Sequence, residues 1–148
     1  MTALFGIELV PASVRRGATF REAAEVLAAH PVSALAVLDD DGHVVGVFGN
    51  EELLRILFPP YLGELRHTAF VRDDRDLLER RAQEAGAAPV ERHMHAPTMI
   101  DHDASATHVA EVFLHCELDA LPVVRDGRFA GMLGRTEFCR EMLRASSR

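Results

Sequence analysis

The sequence repeats itself, and this repeat constrains the fold more than any other feature. The two glycines and the glutamate of GVFGNEELL, at residues 46–54, recur at the same spacing in GMLGRTEFC, at residues 131–139. Farther upstream, residues 24–38 and residues 110–124 are identical at six of fifteen aligned positions. Self-similarity of this kind indicates one structural unit used twice. We therefore expect both halves to share one order of helices and strands.

Each half shows the pattern of a helix, a β-hairpin and a second helix. Thr19 and Glu22 have the spacing of a capping box, and the apolar residues that follow predict a helix that stops before Pro31. The turn sequences DDDG and RDG each separate two short apolar segments, which predicts a hairpin in each half. Closing helices are predicted in NEELLRILF and RTEFCREML.

These patterns predict an α/β (α+β) fold built from two units. Each unit has the order strand, helix, strand, strand, helix. Such a unit exposes one apolar sheet face and would be marginally stable alone. We therefore expect the two units to pack sheet to sheet, with flanking helices, as one compact module.

Composition limits the classes of function. The net charge of −7 over 148 residues, without a dense basic block, argues against nucleic-acid binding. Two cysteines without a C-x-x-C arrangement favour a reducing compartment. The apolar opening MTALFGIELVPA contains Glu8 and is far shorter than the ~20 residues of a membrane helix. We expect a soluble, cytoplasmic protein without a membrane segment.

The stretches SALAVLDDDGHVVGVFGNEELL and DALPVVRDGRFAGMLGRTEFC resemble the two halves of a tandem pair of cystathionine-β-synthase (CBS) domains, or Bateman module, of the small stand-alone bacterial type. The resemblance assigns residues 9–58 to repeat 1, residues 59–92 to a helical connector and residues 93–144 to repeat 2. It implies repeats related by a pseudo-twofold axis, frequent dimerisation, and clefts between repeats that bind adenosine-containing ligands such as AMP, ADP, ATP or S-adenosylmethionine.

The chain departs from the family motif G-φ-φ-T/S-x-x-D, where φ is apolar, at the same two positions in both repeats. Gly49 and Gly134 replace the hydroxyl residue, and Glu52 and Glu137 replace the aspartate that accepts hydrogen bonds from ribose. Glutamate has the same acceptor chemistry but is longer by one methylene group. It could also serve only as a helix cap, since glutamate three residues after an N-cap bonds back to the cap N–H. Both roles remain open at this level.

The resemblance implies a set of candidate nucleotide-binding positions in the two repeats: Ser13, Val14, Ser33, Leu35, Gly49, Glu52, Thr98, Ile100, Asp119, Leu121, Gly134, Arg135 and Glu137. Arg135 follows Gly134 at a predicted helix start and could contact a phosphate, with a solvated surface arginine as the alternative. Two histidines, His93 and His95, lie close together, but no carboxylate or cysteine stands at tight ligand spacing, so we expect no metal site. Neither cysteine has an evident paired base, so we expect no catalytic residue and no enzyme activity.

Two functions are compatible with the sequence. The first is a regulatory module that senses an adenosine-containing ligand, namely AMP, ADP, ATP or S-adenosylmethionine, and signals through a conformational or dimer change. The second is a dimerisation or protein-interaction module that has lost nucleotide binding. Both include a homodimer that buries the apolar residues of the closing helices, and an effector protein that the sequence does not identify. Neither includes a resident cofactor.

Overall fold

The computed structural model describes residues 3–58 and 75–147, with side chains described from residue 78 onward in the second range. A short hairpin precedes the repeats and consists of β1 (Ala3–Leu4) and β2 (Ile7–Glu8). The elements of repeat 1 are β3 (Ser13–Arg15), α1 (Phe20–Ala29), β4 (Ala34–Leu38), β5 (Val44–Gly49) and α2 (Asn50–Leu57). The elements that follow are α3 (Arg75–Gly86), a 3₁₀ turn (Val90–Arg92), β6 (Ile100–Asp101), α4 (Ala106–His115), β7 (Ala120–Arg125), β8 (Arg128–Gly134) and α5 (Arg135–Ser146).

The two repeats have the same topology, which confirms the predicted order of elements. In repeat 1, β3 pairs parallel with β4, and β4 pairs antiparallel with β5. In repeat 2, β6 pairs parallel with β7, and β7 pairs antiparallel with β8. The central strand β4 packs against β7 and β8 of the other repeat. The two sheets therefore share one core.

Local sequence signals explain where the elements begin and turn. The Thr19 hydroxyl accepts a hydrogen bond from the Glu22 N–H at 3.2 Å, and the Glu22 carboxylate accepts one from the Thr19 N–H at 3.3 Å, so the predicted capping box forms. The second hairpin turns at Asp126 and Gly127, whose φ angles of 52° and 81° match a two-residue turn. In the first hairpin, backbone N–H groups of His43 and Asp41 donate to Asp39 and lower the pKa of its carboxyl group.

Each repeat also contributes a short segment to the sheet of the other. Val10 and Met132 exchange two backbone hydrogen bonds, at 3.0 and 2.8 Å. At the matching place, Val47 and His95 exchange two, at 3.1 and 2.7 Å. The first residues of each repeat thus form an isolated β-bridge with the last strand of the other repeat. This exchange joins the two halves through the backbone as well as through side-chain packing.

Parts of the predicted connector and of the predicted dimer surface can be compared with the structure. Within residues 59–92, α3 contacts α1 and α2, whereas residues 59–74 lie outside the described residues.

Phe138, in the second closing helix, was expected to face a second subunit. It is instead buried in its own chain between Phe5 and Phe113, with ring centroids 6.0 and 5.7 Å away. No described helix has both the length and the apolar character needed to cross a membrane.

Candidate ligand-binding cleft

A surface cleft lies where the two repeats meet at the start of α5. It consists of two adjoining cavities, of about 390 and 520 Å³, that share Pro31, Val32, Gly134 and Glu137. We name it the Glu137 cleft. Each cavity lies in the size range of small-molecule sites in proteins. The link between α1 and β4 provides one wall, and the end of β8 with the first turn of α5 provides another.

The structure brings four of the predicted site residues into this cleft: Ser33, Asp119, Gly134 and Glu137. Sequence reasoning missed several other lining residues. They comprise residues 7–11 ahead of β3, residues 30–32 after α1, and Asn50, Met132 and Thr136. A signal for two of these groups was present, since Pro11 aligns with Pro97 and Pro31 ends the first helix. Nothing in the sequence shows that these groups meet.

The two motif glutamates have different environments. Glu52 is buried, and its Oε2 atom accepts a hydrogen bond of 3.0 Å from the Gly49 N–H. It therefore takes the capping role that the sequence left open. Glu137 is exposed in the cleft, and between these two described residues there is no hydrogen bond from the Gly134 N–H to Glu137. The Glu137 carboxylate lies instead over the Cα atom of Gly134, where an added Cβ would meet it.

The backbone N–H of Gly134 points toward the cleft. Met132 directs its N–H and C=O groups to Val10, away from β7. Residues two apart along an antiparallel strand direct these groups to the same side, so the Gly134 N–H faces the side on which residues 7–11 lie. A donor at Gly134 and a carboxylate acceptor at Glu137 are thus adjacent at one end of the cleft.

Arg135 is held away from the cleft by its own repeat. Its Nη2 group donates to the carbonyl oxygens of Phe113, Cys116 and Leu118, at 2.8, 3.2 and 3.0 Å. The guanidinium also lies 5.2 Å from the centroid of the Phe113 ring, and its Nε is 3.6 Å from Asp119 Oδ1. These contacts cap the C-terminus of α4 with a positive charge. The side chain is therefore neither a phosphate ligand in this conformation nor a freely solvated arginine.

The remaining predicted positions do not line the Glu137 cleft in the structure. Leu35, Leu121 and Ile100 are buried in the core, so their side chains face other apolar groups. Ser13 and Val14 are half-buried in β3, where they pair with β4. Thr98 is half-buried ahead of β6. A contact of these residues with a ligand stays a prediction from the resemblance.

One group of potential metal ligands occurs among the described residues. Asp39, Asp41 and His43 lie in the first hairpin turn with ligand atoms within 4.8 Å of one another. However, Asp39 Oδ1 already accepts two backbone hydrogen bonds of 2.9 Å, from Asp41 and His43. The arrangement is thus explained by closure of the turn.

Comparisons with known proteins also divide the chain into two repeats. The family model described as CBS domain matches residues 9–59 and again residues 90–144. No curated protein matches the chain in sequence. CBSX2, a CBS-pair protein from Arabidopsis thaliana, is similar in structure, with a TM-score of 0.70, 23% identity, and coverage of 95% of this chain and 94% of that one.

Two solved structures of complexes are also similar. CBSX2 in complex with AMP has a TM-score of 0.65 and 23% identity, and covers 93% of this chain and 94% of that one. The CBS domain protein PAE2072 from Pyrobaculum aerophilum, complexed with AMP, has a TM-score of 0.67 and 19% identity, and the match covers 96% of this chain and 95% of that one. At these identities the likeness in structure shows a shared fold. Together with the two family matches, which span more than half of the sequence, it shows that this chain belongs to the CBS domain family as a tandem pair.

Proposed function

We propose that this CBS pair is a regulatory module that binds one adenosine-containing ligand in the Glu137 cleft. The observation that carries the proposal is the environment of Glu137. This carboxylate is exposed, lines both cavities and accepts no hydrogen bond from another described residue. Its counterpart Glu52 is buried and bonded to Gly49. Of the two motif carboxylates, Glu137 is therefore the one able to accept hydrogen bonds from a ligand.

The chemistry around Glu137 suits a ribose and a base. A carboxylate has acceptor positions for two ribose hydroxyl groups, and the Gly134 N–H beside it offers a donor to a ribose oxygen. The hydroxyl group that the family motif places at position 134 is absent, but Thr136 supplies one on the same cleft wall. Apolar side chains of Val10, Val32 and neighbouring residues offer a surface for the flat face of adenine.

Binding at this place would act on the arrangement of the repeats. Residues 7–11, 31–33 and 50 come from the first half of the chain, and Asp119, Gly134 and Glu137 come from the second. A ligand in contact with both halves stabilises the arrangement that it fits best, in proportion to its difference in affinity between arrangements. The AMP complexes of CBSX2 and PAE2072 support an adenosine ligand for this fold. A regulatory role without catalysis agrees with the family.

A homodimer is the second part of the proposal. Leu54 on α2 and Leu143 on α5 are 56% and 69% exposed, and Leu114 on α4 is 79% exposed. The exposed leucines of the two closing helices, Leu54 and Leu143, are the ones that a dimer interface would bury. The effector protein that would respond to the ligand is not identified by these surfaces. If the chain binds no adenosine compound, the interaction role becomes the better account of the fold.

The test is calorimetric titration of the full chain with adenosine, AMP, ADP, ATP and S-adenosylmethionine, followed by two matched variants. Glu137→Gln removes a charged acceptor and should weaken the ligand that binds best by roughly 10- to 150-fold, the equivalent of about 1.5–3 kcal/mol. Glu52→Gln changes the same motif position in the other repeat and should leave the affinity within about threefold. Equal losses in both variants would contradict a site at Glu137, and absence of binding by the native chain would refute the proposed ligand function.

A further inference from the structure

The charged residues of the Glu137 cleft are mostly acidic. Glu8 lines the smaller cavity, Asp119 lines the larger one, and Glu137 lines both. All three acidic residues are exposed. Among the described lining residues, His30 is the one basic side chain, and its Nδ1 is 2.8 Å from the Val26 carbonyl oxygen. The cleft therefore has a negative field at both ends.

The nearest arginine offsets this field only in part, since Arg135 Nε lies 3.6 Å from Asp119 Oδ1 while Glu8 and Glu137 have no such partner within the described parts of the chain. The Arg135 guanidinium donates to three carbonyl oxygens at the end of α4 and stacks over Phe113. For Arg135 to reach a phosphate in the cleft, the carbonyl groups of Phe113, Cys116 and Leu118 would lose these bonds. Partly buried carbonyl groups without a partner are unfavourable, so the arginine is held in place. A phosphate group would meet no free guanidinium among the described residues.

The start of α5 is also unsuited to a phosphate. Helix N-termini attract anions through their N–H groups and the helix dipole. Here the Glu137 carboxylate already lies over Gly134 at this helix start, and the Arg135 N–H donates to the Asp119 carbonyl oxygen at 2.8 Å. A phosphate placed here would lie beside the Glu137 carboxylate, which already stands at the start of the helix.

We propose that the cleft selects adenosine compounds without phosphate and binds those with a positively charged 5′ substituent most tightly. The inference rests on the adenosine-binding function proposed above and narrows it to one class of ligand. With the ribose at Glu137, a 5′ substituent directed into the smaller cavity meets Glu8, and one directed into the larger cavity meets Asp119. In either orientation a phosphate is repelled and a sulfonium or ammonium group is attracted.

The experiment compares ligands that differ in charge at the 5′ position. Calorimetry at low salt should rank S-adenosylmethionine above adenosine and 5′-methylthioadenosine, these above AMP, and AMP above ATP. At about 1 M salt, where charges are screened beyond ~3 Å, the differences should shrink to within a few-fold. Adenosine and AMP form the most direct pair because they differ only in the phosphate group.

Variants locate the effect in the cleft. The double change Glu8→Gln with Asp119→Asn should raise the ratio of AMP affinity to adenosine affinity by about tenfold or more. Glu117→Gln removes one exposed negative charge two residues from Asp119 but outside the cleft lining, and it should change this ratio by less than about twofold. If the double variant also changes the ratio of AMP affinity to adenosine affinity by less than about twofold, the charge selection is refuted.

The outcomes separate the two proposals. If AMP binds as tightly as adenosine at low salt, or more tightly, the charge selection is refuted while adenosine binding stands. If neither adenosine nor any charged derivative binds, the proposed function is refuted, and the charge selection fails with it.

Discussion

Replacing Glu52 with alanine should destabilise the ligand-free protein, whereas the same change at Glu137 should not. Both residues occupy the third position of a closing helix after a glycine N-cap. They differ in burial and in bonding, since only Glu52 is buried and bonded to its glycine. The comparison therefore separates the role of the sequence position from the role of its environment.

The expected magnitude follows from the Gly49 N–H. Val47 directs its N–H and C=O groups to His95, so the Gly49 N–H, two residues farther along β5, also points away from β4. Without Glu52 this donor is left in a buried position without its carboxylate partner. An unsatisfied buried N–H costs about 1–3 kcal/mol, and relief of the buried Glu52 charge offsets part of that cost. We expect a net loss of about 1–2 kcal/mol.

Urea unfolding followed by circular dichroism, without ligand, measures this loss. In thermal unfolding, the melting temperature of Glu52→Ala should fall by roughly 3–6 °C for a chain of this length. Glu137→Ala, at an exposed position, should lie within about 0.5 kcal/mol of the native chain. Glu52→Gln, which keeps an acceptor oxygen, should recover most of the stability. Equal stability of the two alanine variants would refute the structural assignment of Glu52 as a buried cap.

Three further predictions concern other parts of the structure. Gly134→Thr should fold normally, because the φ angle of Gly134 is an ordinary −78° and the new side chain would meet only the flexible Glu137 carboxylate. Gly49→Thr should lower the free energy of unfolding in urea by about 2 kcal/mol or more, because a Cβ at this position would lie 2.8 Å from the Ser33 backbone oxygen. Arg135→Lys should lower the free energy of unfolding by about 1 kcal/mol in the same assay, since an ammonium group cannot reproduce the contacts of the planar guanidinium with three carbonyl groups and the Phe113 ring. A variant of native stability would contradict the capping role of Arg135. Light scattering should show a dimer that Leu54→Asp with Leu143→Asp converts to a monomer, and a native monomer at high micromolar concentration would exclude the proposed interface.

The amino-acid sequence alone determined the order of elements and the internal symmetry. Capping residues such as Thr19, turn residues such as Gly127 and the alternation of apolar side chains act over a few neighbours in the chain, so they can be recognised without tertiary information. The N-terminal hairpin of β1 and β2 was not predicted. Its two short strands are stabilised by distant contacts, including that between Phe5 and Phe138.

Which of the two motifs lies in the candidate cleft depends on the packing of the two repeats. The two G-x-x-G-x-x-E motifs have the same sequence pattern. Glu52 is nevertheless buried and accepts a hydrogen bond from the Gly49 N–H, whereas Glu137 faces a cleft. Arg135 likewise follows a glycine at a helix start, but its side chain is drawn to carbonyl groups about twenty residues earlier in the chain. The role of a charged side chain depends on the acceptors, donors and solvent around its terminal atoms. Those surroundings come from segments far apart in sequence, so they exist only once the two repeats have packed together.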